Sequence, residues 1–358
     1  MNGFSIRINS RNSRRPPSDP PFSRLARLSL QSLTSVADTT LTDKTRAFLN
    51  SAGWDAVAEP LTGDASSRKY FRLRNAGQSA VLMDASRALA SVEPFVRMDE
   101  HLLRLDFGAP TILARDEAKG LLLLEDFGDA TFARLLDDEA EPEKLFALAT
   151  DVLVALHQHP QAIPGGLRVY DPGQMLADIE LYLDWCTPGV SETGRAEFKT
   201  VWREVLPVAH QVPTSLLLRD YHVANLMLLP GRPGVKQAGL LDFQDAYQGP
   251  VTYDLVSLLQ DARRDVPEDL QARMVARYLA PFAALDRDAF ETSMAILAAL
   301  RHTRVLAIFE RLSRHEGKHD FKKLHSPRVE RLLQKALRHP TLAGLKRWFD
   351  KYGKANNA

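Results

Sequence analysis

The stretch Leu218-Arg219-Asp220-Tyr221-His222-Val223-Ala224-Asn225 decides the interpretation of this sequence. A second acidic motif, Leu240-Leu241-Asp242-Phe243-Gln244-Asp245, follows shortly after it. Phosphoryl transfer from ATP to a hydroxyl requires one carboxylate to orient the acceptor, and an amide with a second carboxylate to hold Mg2+. The order of the side chains predicts that Asp220 is the catalytic base or orienting carboxylate. It also predicts that Asn225 and Asp242 are the metal ligands.

Short apolar runs flank both motifs, and we expect strands at residues 215–218, 226–229 and 235–241. The catalytic loop then lies between two strands, and Asp242 returns beside Asn225 at the end of the third. Single Asp and Asn residues are common in ordinary turns. The prediction therefore depends on the two motifs occurring together.

The segment from Arg219 to Leu255 resembles the core of the aminoglycoside phosphotransferase superfamily. The matching positions are Asp220, His222, Asn225, Asp242, Asp245, Gly249 and Asp254. Within that superfamily the chain is most similar to the bacterial anomeric kinases of N-acetylmuramate and N-acetylglucosamine. That finer resemblance rests on residues 63–66, 68–72, 83–85, 242–246 and 249–259.

The resemblance implies an α+β, bilobal, protein-kinase-like fold with a small β-rich N-terminal lobe and a larger, mostly helical C-terminal lobe. We expect residues 1–40, which are rich in Arg, Ser, Thr and Pro, to form a disordered extension. Residues 41–127 are then the small nucleotide-binding lobe and hinge, and residues 128–358 are the helical lobe with the catalytic and metal loops. The implied cofactors are ATP and Mg2+.

The nucleotide is expected to contact the small lobe and the hinge. Gly63 and Ser66 lie in a stretch of small residues whose backbone N–H groups could approach the phosphates. Met83 stands where a kinase has its phosphate-pairing lysine, so a cation must come from elsewhere. Arg68 is the first candidate, with Lys69 and Arg72 as alternatives. In the hinge, Glu125 and Phe127 would contact adenine through backbone groups.

Several further residues are assigned supporting or substrate roles through the resemblance. His222 would position the catalytic loop. Asp254 would brace that loop or cap a helix, or do both. Arg219 would contact the substrate or a carboxylate, and Asp245 would touch the substrate or support the site. Glu180 lies on a predicted helix with Tyr182, Asp184 and Trp185, which either lines the acceptor cleft or is an ordinary amphipathic helix.

The bulk composition excludes several classes of protein. With 45% hydrophobic and 25% charged residues the chain is typical of a soluble globular protein. A net charge of +1 argues against a nucleic-acid binder, although the chain is basic from Arg301 onwards. Apolar runs are too short to span a bilayer, and the single cysteine, Cys186, fits a reducing cytoplasm. We therefore expect a cytoplasmic protein with neither a nucleic-acid nor a membrane partner, and the resemblance implies a small-molecule sugar as the acceptor.

Three functions remain open from the sequence. The first is an ATP-dependent sugar kinase acting on the anomeric hydroxyl of N-acetylmuramate or N-acetylglucosamine, in cell-wall recycling. The second is a phosphotransferase for another small hydroxyl acceptor, such as an aminoglycoside, choline or homoserine. The third is a catalytically silent nucleotide-binding module, favoured by Met83 and by Leu218 at a position where the superfamily usually has histidine.

Overall fold

The computed structural model describes residues 41–61, 68–75 and 77–353. The predicted N-terminal extension and the candidate phosphate contacts Gly63 and Ser66 lie outside these residues. Within them the chain forms two lobes, a small one built on an antiparallel sheet and a larger one that is mainly helical.

The small lobe contains a five-stranded sheet in the order β1-β2-β3-β5-β4, with every neighbouring pair antiparallel. The strands are β1 (Val57–Leu61), β2 (Lys69–Asn75), β3 (Gln78–Asp84), β4 (Ile112–Asp116) and β5 (Leu121–Glu125). Strands β2 and β3 pair from Lys69↔Asp84 to Asn75↔Gln78. This register confirms the hairpin that the sequence predicts around Gly77.

Two helices accompany this sheet, where the sequence predicts one helix from Thr42 through Leu49 and helical spacing of apolar residues from Val92 to Leu105. Helix α1 (Asp43–Ser51) is capped by Thr42, whose hydroxyl accepts a hydrogen bond from the Thr45 N–H at 3.2 Å. Helix α2 (Val92–Arg104) buries an apolar stripe that includes Phe95, Met98 and Leu102. Burial of that stripe fixes α2 against the sheet, where Met83 is fully buried.

The large lobe is built from nine helices among the described residues. They are α3 (Phe132–Asp137), α4 (Pro142–Gln158), α5 (Pro172–Trp185), α6 (Glu192–Val205), α7 (Thr252–Leu259), α8 (Glu268–Leu279), α9 (Arg287–Glu316), α10 (His319–Ala336) and α11 (Ala343–Tyr352). Helix α9 is long and apolar enough to cross a membrane, but 72% of its apolar window is buried inside the fold. It is therefore placed as the central core helix of this lobe.

Two short antiparallel ribbons carry the catalytic motifs. Strand β6 (Thr214–Leu217) pairs with β9 (Tyr247–Pro250), and β7 (Leu226–Leu228) pairs with β8 (Ala238–Leu240). The predicted strand at 235–241 is wrong in its first half, because Gly234–Gln237 forms a 3-10 turn. Gly234 there has a left-handed φ of 53°, which begins a turn rather than a strand.

The C-terminal helices also differ from the prediction in one respect. The sequence indicates a helix starting at Pro327, but α10 begins eight residues earlier, at His319, and Pro327 lies inside it. Proline lacks an N–H and usually ends or kinks a helix. Burial of Val329 and Leu333 on α10 accompanies its packing on α9 and holds the helix together.

The two lobes share one continuous hydrophobic core. This cluster includes Met83 and Phe95 from the small lobe and Leu153, Leu240 and Phe243 from the large lobe. The rings of Phe95 and Phe243 are 5.2 Å apart between centroids. Helix α2 is therefore packed directly against the loop that carries Asp242.

Candidate active site

The backbone of the catalytic loop is held from behind by Asp254. Its carboxylate accepts hydrogen bonds from the N–H groups of Leu218, at 2.5 Å, and Arg219, at 2.8 Å. Arg219 has a left-handed φ of 72°, which is costly for a residue with a Cβ. The two hydrogen bonds that the buried Asp254 carboxylate accepts stabilise that conformation, and they fix the backbone directly before Asp220.

Asp254 does not cap the helix that contains it. The N-cap of α7 is Val251, and Asp254 lies within the first turn with only 1% of its surface exposed. The N-cap alternative is therefore wrong. Burial raises the pKa of Asp254 to about 7, although its two N–H donors and the charge of Arg301 oppose that increase.

Asp220 is half-buried at the end of this braced segment. Burial acts to raise its pKa, but the guanidinium groups of Arg301 and Arg304 outweigh burial and hold the pKa below its usual value. Asp220 is therefore an ionised carboxylate at neutral pH. It can accept a hydrogen bond from a hydroxyl without first losing a proton.

Asn225 and Asp242 lie side by side at one end of the β7–β8 ribbon. The Asn225 Nδ2 amide donates to the main-chain oxygen of Asp220 at 2.9 Å and is 3.5 Å from Asp242 Oδ2. Because the amide nitrogen faces the Asp220 carbonyl, the other amide atom, oxygen, is the one available to a cation. The structure thus brings the side chains of Asn225 and Asp242 together, next to the main chain of Asp220.

Arg68 from the small lobe reaches Asp242 in the large lobe. Arg68 Nη2 is 3.0 Å from Asp242 Oδ1, an oxygen that also accepts from Gln244 Nε2 at 2.8 Å. This contact places a guanidinium beside the candidate metal ligand, where triphosphate oxygens would also lie. Met83 does not reach this position, because it is fully buried between Tyr70 and Leu122 in the sheet.

The alternative cation Arg72 is committed to the hinge. Its guanidinium donates to Asp129 Oδ1 at 2.8 Å, to the main-chain oxygen of Gly128 at 2.8 Å and to Asp126 Oδ1 at 3.1 Å. Only 7% of the residue is exposed. Arg72 therefore stabilises the connection between the lobes and has no free face for phosphate.

The two hinge residues expected to contact adenine have structural partners. The Glu125 N–H donates to Thr111 O at 2.8 Å, and its carboxylate binds Thr111 and Arg232. Contact with a nucleotide would thus have to use another backbone group. The Phe127 ring packs on Gly239, where an added Cβ would lie 2.8 Å from ring carbons.

His222 is buried next to the catalytic loop. Its Nε2 is 3.3 Å from Arg263 Nη1 and 3.5 Å from Asn225 Nδ2, both of which are donors. Burial, assisted by the charge of Arg263, lowers the pKa of His222 to about 4. The ring is therefore neutral at pH 7 and suited to holding Asn225 rather than to proton transfer.

Next to the catalytic loop lies a carboxylate that the sequence did not single out, Asp178. Asp178 Oδ2 accepts from Arg219 Nη2 at 2.5 Å and from the Tyr170 hydroxyl at 3.0 Å, and Oδ1 accepts from Gln174 Nε2 at 3.0 Å. Arg219 therefore contacts a carboxylate, one of its two predicted roles. Arg301 and Arg304 on α9 complete this group.

The structure does not bring Glu180 to the site. Its carboxylate pairs with Lys199 Nζ on α6 at 2.8 Å. Residues two apart on a helix differ by about 200° around its axis, so Glu180 and Asp178 face different neighbours. The other residues named with it on α5 belong to the core or the surface, since Tyr182 is buried and Asp184 pairs with Arg195.

Asp245 is exposed at the end of the second motif. Its nearest described polar contact is Gln244 Nε2, at 3.5 Å. The side chain is thus accessible to a ligand, and it does not support the loop by a strong hydrogen bond.

Comparison with known proteins agrees with this architecture. A family model described as "Phosphotransferase enzyme family" matches residues 57–291. An N-acetylmuramate/N-acetylglucosamine kinase of Caulobacter vibrioides is 34% identical over 347 residues, which cover 86% of this chain and 95% of the relative. A protein of the same name from Pseudomonas putida is 33% identical over 303 residues, covering 81% of this chain and 86% of the relative.

A solved structure supports the fold independently. The GDP and kanamycin complex of APH(2")-IIia superposes with a TM-score of 0.59 at 14% identity, covering 84% of this chain and 100% of that chain. The bilobal architecture is that of kinase-like phosphotransferases. The chain belongs to the phosphotransferase enzyme family, so it is an enzyme that transfers a phosphoryl group.

Proposed function

We propose that the enzyme transfers the γ-phosphoryl group of ATP to the anomeric hydroxyl of N-acetylmuramate and N-acetylglucosamine. The observation that carries the chemistry is the adjacency of Asn225 and Asp242 where the lobes meet, with the Asn225 amide bound to the main chain of Asp220. The choice of sugar is supported by relatives of that name that align over most of the chain. Such an activity belongs in the cytoplasm, in amino-sugar recovery from the cell wall.

In this mechanism Asp220 positions the acceptor. Its ionised carboxylate accepts a hydrogen bond from the sugar hydroxyl and directs the oxygen lone pair at the γ-phosphorus. As the new P–O bond forms and the bond to ADP breaks, the hydroxyl proton passes to Asp220 and then to solvent. Phosphoryl transition states are loose, so this orientation contributes more than strong deprotonation would.

The residues at the ribbon ends fit a magnesium ion. Asn225 offers an amide oxygen and Asp242 a carboxylate, the hard oxygen donors that Mg2+ prefers when phosphate and water complete its coordination. The bound ion would supply neutralisation of the phosphate charge. Arg68 would lie beside the same phosphates, because it already contacts Asp242.

The charges around Asp220 favour this acceptor over a cationic one such as choline or an aminoglycoside. Three arginines lie in the neighbourhood of Asp220, namely Arg219, Arg301 and Arg304. The nearby Asp178 carboxylate is ion-paired with Arg219 and Arg304. A cationic acceptor would need unpaired carboxylates at this place. A neutral or acidic sugar is not repelled by these arginines.

The proposal is tested by ADP release from ATP and Mg2+ with a panel of acceptors, coupled to phosphorus NMR of the product. We expect turnover of both amino sugars and an anomeric phosphate signal, with little turnover of choline or kanamycin. Turnover of neither amino sugar would reject this choice of acceptor. Binding of nucleotide without transfer to any acceptor would instead support a silent nucleotide-binding module.

A further inference from the structure

The guanidinium of Arg304 lies beside Asp178 and has N–H donors that make no hydrogen bond within the described residues. Within the part of the chain that the structure describes, its one ion pair runs from Nε to Asp178 Oδ2 at 3.5 Å, and its terminal amino groups make no hydrogen bond. The side chain is 17% exposed, so these donors are sheltered yet reachable. A half-buried guanidinium fork without partners is suited to a carboxylate or phosphate.

The two neighbouring arginines, Arg219 and Arg301, already have partners inside the protein. Arg219 donates to Asp178 and lies 5.1 Å over the ring of Tyr247. Arg301 is 4% exposed and donates to the main-chain oxygen of Arg219 at 3.3 Å. Both therefore hold the catalytic loop, and Arg304 is the member of the group that remains available to a ligand.

Arg304 lies beside the segment of chain that leads into Asp220. Arg301 contacts the backbone next to Asp220, and Arg304 follows one turn later on the same face of α9. Its charge also acts on Asp220. Arg304 also pairs with Asp178, which in turn binds Arg219, the residue directly before Asp220.

We propose that Arg304 binds the carboxylate of an acidic acceptor, and that it selects N-acetylmuramate over N-acetylglucosamine. This inference rests on the proposed function. The two sugars share the reacting hydroxyl and the acetamido group, and only N-acetylmuramate carries a lactyl ether with a carboxylate. A guanidinium in this place would bind that carboxylate in both the ground state and the transition state. Its loss should therefore raise KM more than it lowers kcat.

The test compares Arg304→Gln, Arg304→Lys and wild type on three acceptors: N-acetylmuramate, its methyl ester and N-acetylglucosamine. Arg304→Gln should lower kcat/KM for N-acetylmuramate about 10- to 100-fold, the usual effect of removing a hydrogen-bonded charge. Activity on N-acetylglucosamine should fall much less than activity on N-acetylmuramate, because Arg301 still holds Asp220 ionised. Wild type should discriminate against the ester, and Arg304→Gln should not. Arg304→Lys should be intermediate, since it keeps the charge and loses the fork.

The control is Arg311→Gln, the same change at an exposed arginine two turns further along the same face of α9. It should alter none of the three activities. Equal losses on both sugars would overturn the inference, because Arg304 would then act on Asp220 or on the phosphate. Unchanged selectivity would overturn it as well. If wild type phosphorylates neither sugar, the proposed function itself fails, which is a distinct result.

Discussion

At the scale of single residues, Asp220 is the side chain whose chemistry depends most on its neighbours. Arg301 and Arg304 keep it ionised despite its burial. We expect Asp220→Asn to lower kcat by about 10²- to 10⁴-fold, the usual contribution of a general base. The assay is steady-state ADP release, with the thermal midpoint measured to show that the variant is folded.

The matched control for that variant is Asp138→Asn. Asp138 is an exposed aspartate whose recorded ion pair is a long contact with Arg134, at 3.7 Å. It should retain full activity. If Asp220→Asn kept more than a tenth of wild-type kcat, Asp220 would have no catalytic role.

The residue scale also shows where sequence reasoning reaches its limit. Asp220, Asn225 and Asp242 were predictable because their motifs fix residue type, order and spacing. The role of Asp178 was not predictable. Helix α5 also carries Glu180 and Asp184, and nothing in the local sequence shows which of these carboxylates faces the catalytic loop. Only the packing of α5 against α9 decides which carboxylate meets Arg219.

At the scale of elements, helix α2 contains a buried carboxyl group, Asp99. It is 0% exposed, and neither of its oxygens has a hydrogen-bond partner within the described residues. Burial, with smaller contributions from Glu100 and Glu125, raises its pKa to about 8. The native state thus holds a proton that the unfolded chain releases above about pH 4.

Asp99 should make the stability of the enzyme depend on pH with a defined sign. Because the folded pKa is the higher one, the contribution is full below about pH 4 and is lost as the pH rises toward 8. Relative to Asp99→Asn, wild type should lose at most about 3 kcal/mol between pH 5 and 7, two pH units at about 1.4 kcal/mol each. Urea unfolding of both proteins measures this difference, and a constant difference would contradict it.

A second element-scale prediction concerns the contact between the segment that follows α2 and strand β8. The Leu240 N–H donates to Gly108 O at 2.7 Å, and a Cβ on Gly108 would lie 2.5 Å from the main-chain oxygen of Ala238. Gly108→Ala must displace β8, which leads directly to Asp242. We expect a loss of about 1–3 kcal/mol in stability together with reduced kcat. Gly165→Ala, where nothing lies within 4 Å, is the control, and equal behaviour of the two variants would refute the argument.

Element boundaries were predictable where periodicity and capping agree. Helices α1 and α2 and the β2–β3 hairpin follow from Thr42, an apolar stripe and a turn glycine. The errors at 235–241 and at Pro327 arose where local signals compete with tertiary packing. The apolar run at 235–241 predicts a single strand, and Pro327 predicts the start of a helix. Packing against neighbouring elements determines the observed structure in both places.

At the scale of the whole molecule, the ion pair between Arg68 and Asp242 joins the two lobes. When nucleotide and metal bind, Arg68 would contact the phosphates and Asp242 would contact the metal in place of their mutual ion pair. Arg68→Gln should therefore raise the KM for ATP about tenfold, as expected for one lost charged hydrogen bond, with a smaller effect on the KM for the sugar. Initial rates at varied ATP measure this effect. The control is Arg74→Gln, which changes an exposed arginine on β2, the strand that follows Arg68, and should leave this KM unchanged.

The bilobal organisation itself followed from resemblance more than from physics. Nothing in the local pattern shows that Phe95 and Phe243 meet, or that one core continues through both lobes. Such contacts join residues far apart in sequence, so only the folded topology places them.

The left-handed backbone conformation of Asp242 affects which substitution can measure the contribution of its carboxylate. Its φ of 60° is left-handed, a conformation that Asp and Asn tolerate and alanine disfavours by about 1–2 kcal/mol. An alanine scan would thus combine loop distortion with ligand loss and overstate the importance of the carboxylate. Asparagine preserves the turn and exchanges a single oxygen, so it isolates the charge.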